Sequence, residues 1–405
     1  MSTQHQKVCP KIPFHPVSNN MIVDNFMSDS LQLPQLQQRL QSVPDIAIFL
    51  RGLYGGGAEK VMLNLASGFV ERGLNVDLVL ARAAGPYMEQ VPPKVRVVDL
   101  KAKWMPSSLP KLTSYLRRVH PTTLLAALHY PCEIAVLAKR LAGVSTRVIV
   151  SEHNTLSQEA ARIPQKSVQL SPLAARLFYP WADGIIAVSQ GVADDLAQIT
   201  RLNPDRIPVI YNPIVLPELL TLAQEPVEHS WFKPNEPPVI LGVGRLHPQK
   251  DFATLIRAFA EVRKTQQARL MILGEGPDWQ ALTNLISELG LTEDVALPGF
   301  VQNPYAYMAK ASVFVLSSAW EGLGNVLVEA MAIGTPVIST NCESGPEEIL
   351  AKGKYGALVP VGDSAAIAQA ITSVLTGNTQ KLDPGWLDQF TLKVSVQKYI
   401  DLLGL

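Results

Sequence analysis

At 405 residues, with 35 basic and 35 acidic side chains, the chain has room for two domains and lacks the basic excess of a dedicated nucleic-acid-binding protein. Apolar residues make up 47% and charged residues 17%, which excludes global disorder, and no run of 18 uninterrupted apolar residues offers a transmembrane helix. Three cysteines, Cys9, Cys132 and Cys342, form neither a disulfide framework nor a paired metal-ligand spacing, so a reducing, cytoplasmic setting is expected.

Residues 1–44 scatter Gln, Ser, Asn and Pro among short apolar pieces broken by Asp24 and Asp29. They read as a flexible tail with no signal peptide and one short helix over 30–41. Residues 45–215 then carry a net charge of +6 and residues 216–405 one of −7, so two units with different partners are expected. Eight prolines between 204 and 238 mark the boundary, with a linker over 216–238.

The first unit opens on a strand at Asp45–Arg51, a glycine turn, and a helix from Ala58 to about Arg72. Strand-like runs follow at Val76–Ala81, Val95–Asp99, Leu124–Leu128, Arg147–Ser151 and Gly184–Val188. The second unit repeats the rhythm at Val239–Val243, Ala268–Leu273, Val295–Leu297, Val313–Leu316 and Pro336–Ser339. Continuous apolar strands separated by helices predict parallel sheets covered on both faces. The fold class is therefore α/β: two doubly wound domains, Rossmann-like, facing across a cleft. In such sheets ligands lie at the carboxyl ends of the strands, so those loops hold the candidate chemistry.

The first such loop is Gly55-Gly56-Gly57-Ala58-Glu59. Glycine lets amides approach a phosphate, and the helix start adds favourable partial charge. Position 60 is Lys, so this is no dinucleotide fingerprint, and no GK[ST] triplet supplies a Walker A loop. A ligand-free tight turn explains the glycines equally well. The loop Gly244–Lys250 offers Arg245 and Lys250, a planar donor fork and a point charge suited to a diphosphate. Two solvated surface cations are the plain alternative.

Glu321-Gly322-Leu323-Gly324-Asn325-Val326-Leu327-Val328-Glu329 is more informative. A helix starting near Gly324 would hold Glu329 inside it and Glu321 in the loop ahead. Eight helical positions span about 12 Å, enough for one carboxylate to meet a sugar and the other a ribose. Amides near Gly324 and Asn325 would face the diphosphate between them. The carboxylates could instead cap the helix and sit on a polar face, but Glu329 stands among Val326, Leu327, Val328, Ala330 and Met331, a poor place for an idle charge. Glu152-His153-Asn154 ends another strand, where His153 could bond a sugar hydroxyl or move a proton. His129 and Tyr130 could line an acceptor pocket. Between 94 and 118, seven cations face one acid with Trp104, Met105 and Leu109 interleaved, so this stretch can rest on an anionic bilayer or serve as a solvated face.

Together these segments resemble the retaining glycosyltransferases of family 4, with the GT-B fold. The matching pieces are GGGAEKVMLNLA at 55–66, GRLHPQKDFATLIRAF at 244–259, LGEGPDW at 273–279, LPGF at 297–300 and EGLGNVLVEAMAIGTPVIST at 321–340. The resemblance implies an acceptor-binding domain over 45–215 and a nucleotide-sugar-binding domain over 239–405, with the last helix, around Lys393–Leu403, crossing back to the first domain. Gly56 and Gly57 would present amides to the donor phosphate, and Arg245 and Lys250 would neutralise the leaving diphosphate. Glu321 would hold donor-sugar hydroxyls beside the amides of Gly322 and Leu323. Glu329 would accept from the ribose, and Gly324, Asn325 and Val326 would surround the diphosphate. Phe300 and Val301 would border the base, and His153 would touch the sugar. Family frequency favours UDP as the nucleotide, with a glycan or lipid-linked acceptor, no metal and no cofactor. Epimerases and phosphorylases share this scaffold, but no pyridoxal-phosphate or free-phosphate motif is present. The missing GxGxxG argues against a dehydrogenase, and the intact charged set argues against a non-catalytic nucleotide-sugar-binding protein.

Overall fold

The computed structural model describes residues 43–405, which form one compact unit. The tail over 1–44, except its last two residues, and the helix expected over 30–41 lie outside the described residues. Two six-stranded, all-parallel sheets organise the rest. The first contains β1 (Ile46–Leu50), β2 (Val76–Leu80), β3 (Arg96–Asp99), β4 (Thr123–Ala127), β5 (Arg147–Glu152) and β6 (Gly184–Ala187), in the order β3-β2-β1-β4-β5-β6. The second contains β7 (Val239–Val243), β8 (Arg269–Leu273), β9 (Val295–Gly299), β10 (Val313–Leu316), β11 (Val337–Thr340) and β12 (Ala357–Val359), in the order β12-β11-β10-β7-β8-β9.

Each order reverses direction beside its first strand, between β1 and β4 and between β7 and β10, and crevices open at such switch points. Every residue of β1, β2, β4 and β10 is buried, because helices cover both faces, and that is why these runs read as unbroken apolar stretches. Thr123 on β4 is polar, and Asp77 on β2 is the charged exception. It accepts from Arg96 Nε and Nη2 at 2.7 and 2.6 Å and from Tyr115 Oη at 2.6 Å, so the buried charge is paired and fully bonded. Strand β12 has no counterpart in the sequence reading, since three residues between Gly356 and Pro360 are too few to show a period.

The proline-dense stretch is less irregular than expected. Leu219–Ala223 folds as a short helix packed on the helices Pro304–Lys310 and Asn325–Ile333, and Asn303 Nδ2 donates to the Leu222 carbonyl at 2.8 Å. Prolines at 217 and 226 bracket that helix without entering it. The final helix, Leu392–Leu403, packs on Gly57–Glu71 of the first lobe. A side chain at Gly68 would meet Val396 Cγ2 at 2.4 Å, so glycine sets how closely the two helices approach. Arg147 Nη1 bonds the Leu403 carbonyl at 2.6 Å and Ser395 Oγ the Tyr211 carbonyl at 2.8 Å. The chain thus passes between lobes twice.

Candidate active site

The glycine loop after β1 leads into the helix Gly57–Glu71, whose N-cap is Gly56. Glu59 reaches back, and its Oε2 accepts from the amides of Gly55 and Gly56 at 2.9 and 3.1 Å, the reciprocal half of a capping box. Burial pushes the Glu59 carboxyl up, while the two amide bonds and Arg245 pull it down. The sequence reading, which assigned the Gly56 amide to a phosphate, did not foresee this internal partner. A Cβ at Gly56 would lie 3.7 Å from Arg245 Nη2, and one at Gly57 would lie 3.5 Å from Asn325 Nδ2. The loop after β7 and the start of the helix Asn325–Ile333 therefore both close on the glycine loop.

Gly324, with φ of 93°, is the N-cap of that helix, in a left-handed conformation that glycine enters freely. The first turns of two helices, one from each lobe, consequently face one another at Gly57 and Asn325, each carrying the positive end of a helix dipole. Asn325 Oδ1 also accepts from Asn212 Nδ2 at 2.9 Å, which fixes its amide. Val326 follows in the first turn.

Lys250 Nζ and Glu321 Oε1 form an ion pair of 2.5 Å, and Ser318 Oγ donates to the same oxygen at 2.6 Å. Glu329 lies just over one turn into its helix, where Tyr305 Oη donates to Oε1 at 3.3 Å. Burial pushes the Glu329 carboxyl up to about 7, against the pull of Tyr305, Lys60 and Lys250. Phe300 is exposed and Val301 half-buried just beyond β9.

Gly322 marks the tightest approach of the lobes, since a Cβ there would stand 1.9 Å from the His153 carbonyl oxygen. Its own carbonyl accepts from Ser189 Oγ at 2.5 Å and Ser344 Oγ at 2.7 Å. Leu323 is buried beneath Gly345. His153 Nε2 lies 3.1 Å from Ser151 Oγ, which lies 3.2 Å from Tyr399 Oη of the returning helix, and Nδ1 has no partner among the described residues. Burial pulls His153 down to about 3, so the ring is neutral near pH 7. His129 Nε2, Tyr130 Oη and Glu133 Oε1 are likewise buried and unpartnered on the first turn after β4, across the switch point from the glycine loop. Burial lowers His129 to about 4 and raises Glu133 to about 7.

Contacts thus bring Gly56 to Arg245, Gly57 to Asn325, Lys250 to Glu321 and Gly322 to His153. Two participants were given no role in the sequence reading. Lys60 acts electrostatically on Glu329 and bonds Gln90 Oε1 at 2.7 Å, and its position directly after the glycine loop was the available signal. Glu348 of the second lobe accepts from the amides of Gln190 and Gly191 at 2.9 and 3.1 Å and from Tyr211 Oη at 3.0 Å, all in the first lobe. No periodicity marks it. In the basic stretch, Arg96 is held by Asp77, Lys111 Nζ donates to the Lys101 carbonyl at 2.7 Å, and Arg117 bonds the Leu141 and Ala142 carbonyls. No group of three potential metal ligands occurs among the described residues.

Two parallel, doubly wound sheets with converging cations, amides and carboxylates at their facing strand ends define a GT-B architecture. The solved HepE of Anabaena, in complex with UDP and glucose, superposes with a TM-score of 0.74 at 22% identity, over 89% of this chain and 99% of that one. The Glycosyltransferase Family 4 model matches residues 55–216 and the Glycosyl transferases group 1 model residues 224–384. An undecaprenol-diphosphate-glycan 4-α-N-acetylgalactosaminyltransferase of Campylobacter jejuni is 32% identical, covering 82% of this chain and 90% of its own. The lipopolysaccharide 1,6-galactosyltransferase of Salmonella typhimurium is 29% identical, over 52% of this chain and 58% of its own. The chain belongs to glycosyltransferase family 4.

Proposed function

We propose that the protein is a retaining, metal-independent hexosyl- or N-acetylhexosaminyltransferase that takes a UDP-sugar and glycosylates a glycan or lipid-linked glycan. One observation carries the reading: helix starts from both lobes meet at Gly57 and Asn325, beside Arg245 and the Lys250–Glu321 pair. That arrangement suits a pyrophosphate, whose charge the amides, Arg245 and Lys250 would neutralise. Glu321 would then turn toward donor-sugar hydroxyls and Glu329 toward the ribose. Gly322, Leu323, Gly324 and Val326 would shape the diphosphate and sugar sites, and Phe300 and Val301 would border the base.

In this reading the glycosidic C–O bond breaks through an oxocarbenium-like state. Negative charge grows on the departing phosphate, where Arg245 and Lys250 stabilise it. The acceptor hydroxyl attacks from the same face and its proton passes to that phosphate. No covalent nucleophile takes part. Neutral His153 would hold a sugar hydroxyl, and His129, Tyr130 and Glu133 would receive the acceptor. The C. jejuni relative's lipid-linked substrate, by its name, supports an acceptor of that kind, and the protein would then work peripherally on the inner face of a membrane.

The test is a thermal-shift screen of UDP, GDP and ADP, followed by transfer assays with the corresponding nucleotide sugars. UDP should raise the melting temperature most, since a ligand selective for the native state stabilises it. The product's anomeric proton should show retained configuration, and activity should survive a chelator. An inverted product would refute the stereochemical assignment, and loss of activity with the chelator would refute metal independence.

A further inference from the structure

We infer that the helical segment over 160–182 is a docking surface for an anionic lipid bilayer. It connects β5 to β6 and includes the helices Lys166–Gln169 and Ser171–Phe178. The inference deepens the membrane station proposed above but stands on observations separate from the transferase site, and the segment adjoins the basic stretch over 94–118 through a groove that Leu141 shares with Arg117 and Arg118.

The segment's polarity is inverted. Ser171, Ala175 and Tyr179 face inward and are essentially buried. Leu170, Leu173, Leu177 and Trp181, spaced three, four and four apart, stand outward with 57%, 53%, 54% and 42% of their surface exposed. A helix seeking only to cover a core would turn its leucines inward and its serine and alanine outward. Single exposed apolar residues are ordinary, but an aligned row of them marks an interaction site.

Charge selects the occupant. From 160 to 182, just after Glu159, the chain has no acidic residue and three exposed cations, Lys166, Arg176 and Arg162, the last lying over the Trp320 ring at 5.4 Å. Arg140, from the adjoining helix His129–Ala142, stacks on Trp181 with its guanidinium carbon 4.0 Å from the ring centroid. Leu141 beside it is 55% exposed and lines a shallow groove with Arg117 and Arg118. Asp183, the first acid after the segment, is neutralised by Lys139 at 2.5 Å. Leucine and tryptophan ringed by cations is the composition of a helix that lies in the plane of an anionic membrane interface. No helix of the described residues is long and apolar enough to cross a membrane, so the segment would lie on the bilayer.

The experiment is co-sedimentation of the full chain with vesicles of phosphatidylglycerol and phosphatidylethanolamine, against vesicles of phosphatidylcholine alone. The wild type should partition at least tenfold more strongly onto the anionic vesicles, less so in high salt. The L173E/L177E variant should lose that binding tenfold or more while keeping its melting temperature and its response to UDP. Should that variant unfold, quenching by brominated lipids supplies the second readout: it should be weaker in Trp181→Phe than in the wild type. Equal binding to both vesicle types, or undiminished binding and quenching in the variants, would overturn the inference. So would a concentration-dependent dimer, abolished by L173E/L177E, in a protein that ignores vesicles.

Discussion

Lys250 and Glu321 stand 71 positions apart in the chain and meet at 2.5 Å, so each residue's chemistry depends on the other being delivered. A diphosphate entering beside Arg245 would compete with Glu321 for Lys250. Replacing Arg245 or Lys250 by Ala should lower kcat about 100- to 1,000-fold, the usual scale for losing one stabilising donor of a growing negative charge. Near-normal turnover in both variants would refute the leaving-group role. Glu329→Ala should weaken UDP binding about 10- to 100-fold, the worth of a charged hydrogen bond, as measured by calorimetry. Unchanged affinity would remove Glu329 from the ribose. Lys60 and Glu59 show why local reading was incomplete here. The sequence places them beside the glycine loop, but only folding brings Lys60 toward Glu329 and turns Glu59 onto the Gly55 and Gly56 amides.

Among elements, one coupling across the lobes joins the short helix Pro346–Ile349 to the helix Gln190–Thr200. Glu348 places a carboxylate on that helix's first two amides, where the dipole favours a negative charge. Ser189, its N-cap, bonds Gly322 beside Glu321. This contact holds the lobes at the spacing where His153 and Gly322 touch. Glu348→Ala should cost roughly 1.5–3 kcal/mol, seen as a lower melting temperature, and should weaken UDP binding because the lobes then separate more readily. If both readouts matched the wild type, the contact would be incidental. The strands were legible because buried parallel strands must be continuously apolar, whereas β12 was too short to show that pattern. The helix Leu219–Ala223 was hidden by its flanking prolines, though they lie outside it.

Across the whole molecule, five titratable groups that burial shifts, Glu152 fully buried and the others half-buried, contribute a pH dependence. Burial raises Glu133 and Glu329 to about 7 and Glu152 to about 8, so the native state keeps protons that the unfolded chain releases above about 4.5. Their contribution falls as pH rises from about 4.5 to 8. His129 and His153, lowered to about 4 and 3, resist protonation in the native state, so their contribution falls as pH drops from about 6.5. Between pH 6.5 and 8 the carboxyls act unopposed, and the melting temperature should decline. Glu152→Gln should make that decline shallower, because the amide has no proton to lose. A decline of unchanged slope would show that Glu152 does not titrate there.

By itself the sequence determined the α/β plan of two parallel sheets, because apolar continuity along a buried strand is a local property. It also carried the family resemblance that the relatives support. Tertiary structure alone decided which groups meet: Arg245 against Gly56, Asn325 against Gly57, Glu348 across the lobes, and Tyr399 behind Ser151 and His153. Those pairings bridge more than 150 positions each, and no periodic pattern encodes a contact whose partners are brought together only when two sheets and a returning helix pack.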